Sequence, residues 1–140
     1  MSVFISNSVT ETERYAALLG EELLPNTTVA LFGGMGMGKT AFARGLAKGL
    51  GYEGEVSSPT FAIVHEYRGG RLPMYHFDMY RVTDWDSLYS TNFFEYCESG
   101  GVCRVEWSEN IENALPEGYI KITLCQGDNE NSRIITTEET

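Results

Sequence analysis

The chain has 140 residues, a formal net charge of −10 and a sequence pI near 4.6. It carries only three lysines, which excludes a protein that grips nucleic acid itself by displacing counterions from phosphates, and suits solubility or a basic protein partner instead. The length fits a single domain over residues 1–140, and the absence of an ~18-residue apolar run or a basic-then-apolar leader predicts a cytoplasmic protein without membrane contact.

From the N-terminus, Val3-Phe4-Ile5 suits a short first strand. Thr10-Glu11-Thr12-Glu13 reads as a capping box, with Thr10 as N-cap, and Leu18-Leu19 and Leu23-Leu24 continue at helical spacing until Pro25-Asn26. Thr28 to Phe32 is then an apolar run of strand length.

It leads into Gly33-Gly34-Met35-Gly36-Met37-Gly38-Lys39-Thr40, which fits the P-loop pattern G-x-x-x-x-G-K-[ST] at every fixed position. Glycines allow the backbone N–H groups to point inward as a phosphate cradle, Lys39 reaches the β- and γ-phosphates, and the Thr40 hydroxyl suits Mg²⁺. The pattern has chemical meaning only between a strand and a helix. Phe42, Leu46 and Leu50, four apart with Gly51 just beyond, supply the helix, which begins near Ala41.

Val56 to Thr60 reads as a polar turn in which Pro59 biases Ser58 away from helix. Phe61 to Tyr67 and Leu72 to Phe77 form a predicted hairpin around Gly69-Gly70. Short helical pieces are expected at Asp84–Leu88 and Phe93–Tyr96, a strand at Gly101–Val105, and a helical turn at Ile111–Leu115 closed by Pro116. Tyr119 to Leu124 alternates like an edge or near-edge strand, and Ser132 to Thr137 can pair with it across Gly127–Glu130. Cys97, Cys103 and Cys125 form no C-x-x-C pair, which argues against a disulfide framework and a zinc site.

A P-loop protein also needs an acid at the end of a neighbouring strand, to hold Mg²⁺ or its waters, and a group that orients the attacking water. Asp78 follows Tyr75-His76-Phe77 and Glu106 follows Val102 to Val105, so both acids fit, and each also fits a plain capping or turn role. Thr60 sits where a switch-type loop offers a hydroxyl to phosphate or metal. His76 shares a strand face with Asp78, Arg44 and Arg81 are candidate cations for transferred phosphate, and Trp107 is either core or a surface for a base.

Four blocks, the P-loop, Ser58-Pro59-Thr60-Phe61, Tyr75-His76-Phe77-Asp78-Met79-Tyr80-Arg81 and Val105-Glu106-Trp107, together resemble the TsaE (YjeE) family of small bacterial ATPases in tRNA threonylcarbamoyladenosine biosynthesis. The resemblance implies Lys39 and Thr40 on phosphate and Mg²⁺, with the backbone of Gly33, Gly34, Met35, Gly36, Met37, Gly38 and Ala41 around the nucleotide. It further implies Thr60 as the switch threonine, Asp78 as a Mg²⁺-associated acid, Glu106 on the water or the metal, and Trp107 near adenine. The chain has Gly34 and Ala41 where the family often has Asp and Thr, and Ser90–Tyr96 lacks an expected glycine turn.

The expectation is an α/β P-loop NTPase with a mixed central sheet flanked by helices, binding ATP and Mg²⁺. By resemblance its partners are a TsaD-type threonylcarbamoyl transferase and the TsaB-type paralogue, with tRNA reached only through them. A small-molecule kinase would need an arginine-rich lid, and a GTPase an N-K-x-D motif, which is absent. A binding module that ATP merely orders is the rival from another class.

Overall fold

The computed structural model describes residues 1–34, 36–56 and 64–140. Its strands are β1 (Ser2–Ser6), β2 (Thr27–Phe32), β3 (Val64–Tyr67), β4 (Met74–Asp78), β5 (Val102–Glu106), β6 (Ile120–Gln126) and β7 (Arg133–Glu139). Its helices are α1 (Val9–Glu22), α2 (Lys39–Gly49), α3 (Trp85–Tyr89) and α4 (Phe93–Cys97), with a 3-10 helix at Ser108–Ala114.

The strands form one sheet in the order β1-β7-β6-β2-β5-β4-β3. β6, β2, β5 and β4 run parallel, whereas β1, β7 and β3 attach antiparallel at the two sides. β2 reads as a continuous apolar run because helices cover both sheet faces. On one face α1 and α2 bury Ala16, Phe42, Leu46 and Leu50 against Val29, Leu31, Met74 and Val102. On the other, Leu88, Phe93 and Ile111 meet Tyr75, Phe77, Cys103 and Val105.

Two sequence expectations are corrected. The N-cap of α1 is Ser8, not Thr10: Ser8 has extended backbone, and its side chain accepts from the Glu11 N–H at 3.1 Å, leaving Thr10 inside the first turn. β6 is an interior strand, because β7 and β1 extend the sheet beyond it while its other side pairs with β2.

Of the two leucine doublets at this end, only Leu19 and Leu23 pack on the core, and smaller residues make up the rest of the packed face of α1. Thr12, Ala16 and Gly20, four apart, are buried, whereas Leu18 and Leu24 are exposed. Small residues suit this face because α1 and α2 approach closely: a Cβ on Gly45 would strike the Glu13 carbonyl oxygen, and one on Gly49 that of Ala17. This contact, with Phe42, Leu46 and Leu50 fully buried, fixes α2 on the sheet.

Candidate functional site

The loop between β2 and α2 is shaped by its glycines. Gly33, Gly36 and Gly38 have φ of 141°, 75° and 95°, values that L-residues with side chains rarely adopt. A Cβ on Gly33 would also come within 2.5 Å of the Leu124 carbonyl oxygen on β6, so space as well as conformation demands glycine there. Gly38 is the N-cap of α2, and its carbonyl accepts the first helical bond from the Phe42 N–H at 2.9 Å. Lys39 and Thr40 therefore open a helix whose free N–H groups face the loop. Gly34 is exposed, Met37 packs against the core, Ala41 is buried in the first turn of α2, and Met35 lies outside the described residues.

The acids arrive by register. β4 and β5 are parallel neighbours in which Asp78 lies beside Glu106 and His76 beside Arg104. Side chains two apart on a strand share a face, so these four form a square on the α2 side of the sheet. Asp78 and Glu106 are its upper row, at the mouth of a cleft of about 800 Å³ that Gly36, Gly38, Lys39 and Thr40 close from the loop side.

The lower row is buried: His76 and Arg104 are 0% and 1% exposed. The Glu106 Oε1 lies 3.5 Å from His76 Nε2 and 3.9 Å from Arg104 Nη1. Burial alone would raise the Glu106 carboxyl, but His76, Arg104 and Lys39 around it outweigh that and hold it below its ordinary value. Burial, reinforced by the Arg104 charge, pushes His76 down to about 4, so its ring is neutral at pH 7. Burial also pulls Arg104 down to about 10, which leaves it cationic. Asp78 is held differently, its Oδ1 accepting from the Tyr80 backbone N–H at 3.0 Å.

Trp107, directly after Glu106, has left-handed backbone with φ 58° and ψ 40°, an outlier for a bulky residue. That turn swings its ring into the cleft, where the Lys39 ammonium lies 5.1 Å from the ring centre and the Tyr80 ring 4.8 Å away. Trp107 thus stands at the end of the cleft that Lys39 occupies.

A second, smaller cavity of about 350 Å³ lies on the other side of the loop and shares Gly36 and Gly38 with the cleft. Ser8, Thr12, Ala41 and Arg133 line it. Arg133 Nη2 donates to the Gly36 carbonyl at 3.2 Å, tying β7 to the loop.

The structure therefore brings Lys39, Thr40, Asp78, Glu106 and Trp107 into one cleft. Thr60 lies outside the described residues. Arg44 is turned away, donating from Nε to Glu13 at 2.7 Å on α1, and Arg81 is exposed. Sequence reading passed over Arg104, although its spacing of two from Glu106 was a signal, and Arg133, for which only the folded C-terminal strands supply one. Among the described residues no cluster of three or more His, Cys, Asp or Glu makes a metal cage by itself. The oxygens of Thr40, Asp78 and Glu106 still fit Mg²⁺, which takes one or two carboxylates and completes its shell with phosphate and water.

Comparison with known proteins adds the lineage. The family model for Threonylcarbamoyl adenosine biosynthesis protein TsaE matches residues 6–135. The chain belongs to the TsaE family. The TsaE protein of Treponema pallidum is 38% identical over 120 residues, covering 86% of this chain and 88% of its own length. That of Bacillus subtilis is 39% identical over 127 residues, covering 91% and 79%. The crystal structure of Bacillus subtilis YdiB superposes with a TM-score of 0.80 at 33% identity, covering 99% of this chain and 84% of that one. Together with the sheet and the glycine loop, this makes the TsaE chain an α/β P-loop NTPase with the mixed sheet and flanking helices expected from its sequence. Among the described residues no helix is long and apolar enough to cross a membrane.

Proposed function

We propose that this TsaE chain is the Mg²⁺-dependent ATP-hydrolysing subunit of the tRNA threonylcarbamoyladenosine modification machinery. It acts in the cytoplasm with a TsaD-type transferase and its TsaB-type paralogue, which hold the tRNA. The observation that carries this reading is the convergence of Lys39, Thr40, Asp78 and Glu106 in one cleft beneath the glycine cradle.

In this reading the triphosphate lies on the loop N–H groups and the α2 N-terminus, with Lys39 balancing its charge. Thr40, Asp78 and Glu106 would hold Mg²⁺, which neutralises phosphate charge when bound. Glu106, kept ionised, orients the attacking water.

The base lies in the smaller cavity, since the two spaces share the loop and the phosphate-seeking Lys39 points into the larger one. Trp107 then serves the phosphate end; its place beside Lys39 argues against the adenine contact expected from sequence.

The kinase reading loses support because the described lining of the cleft contains no arginine. For the same reason the domain alone turns over slowly and a partner supplies or organises the missing cation, an effect worth on the order of 10³ to 10⁵ in kcat in other P-loop systems. The test is steady-state ATP hydrolysis by the purified chain, then with the transferase pair, then with tRNA added. Rising rates are expected. Equal rates in all three mixtures would sink partner activation, and full tRNA modification by a hydrolysis-dead variant would favour the nucleotide-ordered binding module.

A further inference from the structure

Arg104 occupies a position that the rest of the fold would fill with an aliphatic side chain. Away from His76, Asp78 and Glu106, its sheet face carries Val29, Leu31, Met74 and Val102, all in the core. It is 1% exposed, and its Nε and Nη2 have no hydrogen-bond partner among the described residues. Donors buried in this way cost stability, and a fold that carried apolar side chains in place of both members of such a pair would often be as stable or more so. Packing alone therefore gives no reason for arginine here.

The acid within ion-pair distance of Arg104, among the described residues, is Glu106. The same carboxylate oxygen, Oε1, is also the one facing His76 Nε2. Both contacts come from below, from the buried row of the square, and both face Oε1 at ion-pair rather than hydrogen-bond distance, since His76 Nε2 has no hydrogen-bond partner among the described residues. Glu106 Oε2 is thereby left for the cleft that Glu106 lines with Lys39 and Asp78.

We propose that Arg104 is a positioning residue for Glu106: with His76 it holds one carboxylate oxygen from behind, so that the ionised group presents the other to the cleft. This deepens the ATPase reading and rests on it. Arg104 touches neither nucleotide nor water in this role. Its loss disturbs the aim of Glu106 and leaves the glycine cradle and Lys39 intact.

Arg104→Leu, Arg104→Lys, Glu106→Gln and the double variant Arg104→Leu/Glu106→Gln are compared in the full chain with its partners. Arg104→Leu should lower Tm, because Glu106 keeps a buried charge without its partner, yet keep Kd for Mg·ATP within about threefold in the folded protein, while single-turnover hydrolysis falls at least tenfold. Arg104→Lys should recover part of that rate, and the double variant should be no slower than Glu106→Gln alone, since residues acting as one unit are not additive. Crystal structures of the parent and Arg104→Leu without nucleotide give a readout apart from activity: the Glu106 carboxylate should leave its parental position in the variant. An unmoved carboxylate, or parental hydrolysis by Arg104→Leu, would overturn the assignment. Failure of the ATPase reading shows separately, as a parent without turnover or a Glu106→Gln that hydrolyses normally; the carboxylate position still decides whether Arg104 aims Glu106.

Discussion

The ammonium of Lys39 rests 5.1 Å from the centre of the Trp107 ring. A cation over an indole face is held by about 0.5–2 kcal/mol, less than a lysine gains on a phosphate it meets in a water-poor cradle. Nucleotide should therefore draw Lys39 off the ring. In a Trp85→Phe background, which leaves one indole, emission should change on adding ADP. The change should be lost in Lys39→Ala even at nucleotide concentrations that saturate that variant. An unaltered signal with binding confirmed by calorimetry would mean that Lys39 does not leave the ring.

Lys39→Ala should weaken Mg·ATP binding by roughly 10- to 100-fold, the worth of one charge-assisted contact to phosphate. Lys121, another of the three lysines, is held between the Phe32 ring and Glu112, at 4.7 and 3.9 Å, and does not line the cleft. Titration calorimetry reads the effect directly, and parental affinity would remove the cradle from the account.

Asp78→Asn and Glu106→Gln keep shape and remove charge at the upper row of the square. Each should lower single-turnover hydrolysis by on the order of 10² to 10⁴ while nucleotide still binds, since loop N–H groups and Lys39 are untouched. Both variants hydrolysing at the parental rate would demote the acids to capping roles.

Gly45→Ala tests what holds the phosphate-binding helix. In an ordinary helix this change adds about 1 kcal/mol of stability, but here the new methyl meets the Glu13 backbone carbonyl, which cannot rotate aside. A net loss of ~1–3 kcal/mol, a fall in Tm of roughly 3–10 °C, is expected by thermal unfolding. Gly34→Ala is the contrast: its Cβ would meet nothing within 4 Å, and its stability should be near that of the parent.

How far the site was legible follows from what fixes each part. The cradle is a local backbone event, so glycine spacing and Lys39-Thr40 announce it. Asp78 and Glu106 were readable because each ends an apolar run, and a parallel sheet puts such ends at one edge. Their alignment side by side, and that of His76 with Arg104, is a register between strands far apart in sequence, which no single segment encodes. Within Val102 to Glu106 the surrounding apolar residues masked Arg104 as strand filler. The leucine doublets told half the story: hydrophobicity marked all four as core, whereas only Leu19 and Leu23 pack there, and close helix approach selected Thr12, Ala16 and Gly20 beside them. The approach of Trp107 to Lys39 was not legible either, because sequence shows its neighbour Glu106 and not the backbone turn that brings its ring there.

The place of β2 in the sheet has a consequence for how the protein comes into being. The strand that carries the phosphate loop pairs on one side with β5 and on the other with β6, both from the second half of the chain. A growing polypeptide thus exposes the glycine loop at the ribosome long before either neighbour of its strand exists. Until β6 emerges, Gly33 lacks the wall that Leu124 provides, and until β7 follows, Arg133 cannot tie down Gly36. Non-local pairing of this kind is slow to form and leaves strand edges open meanwhile. The glycine loop is therefore unfinished on a nascent chain, and its surroundings are complete only once β6 and β7 have been translated.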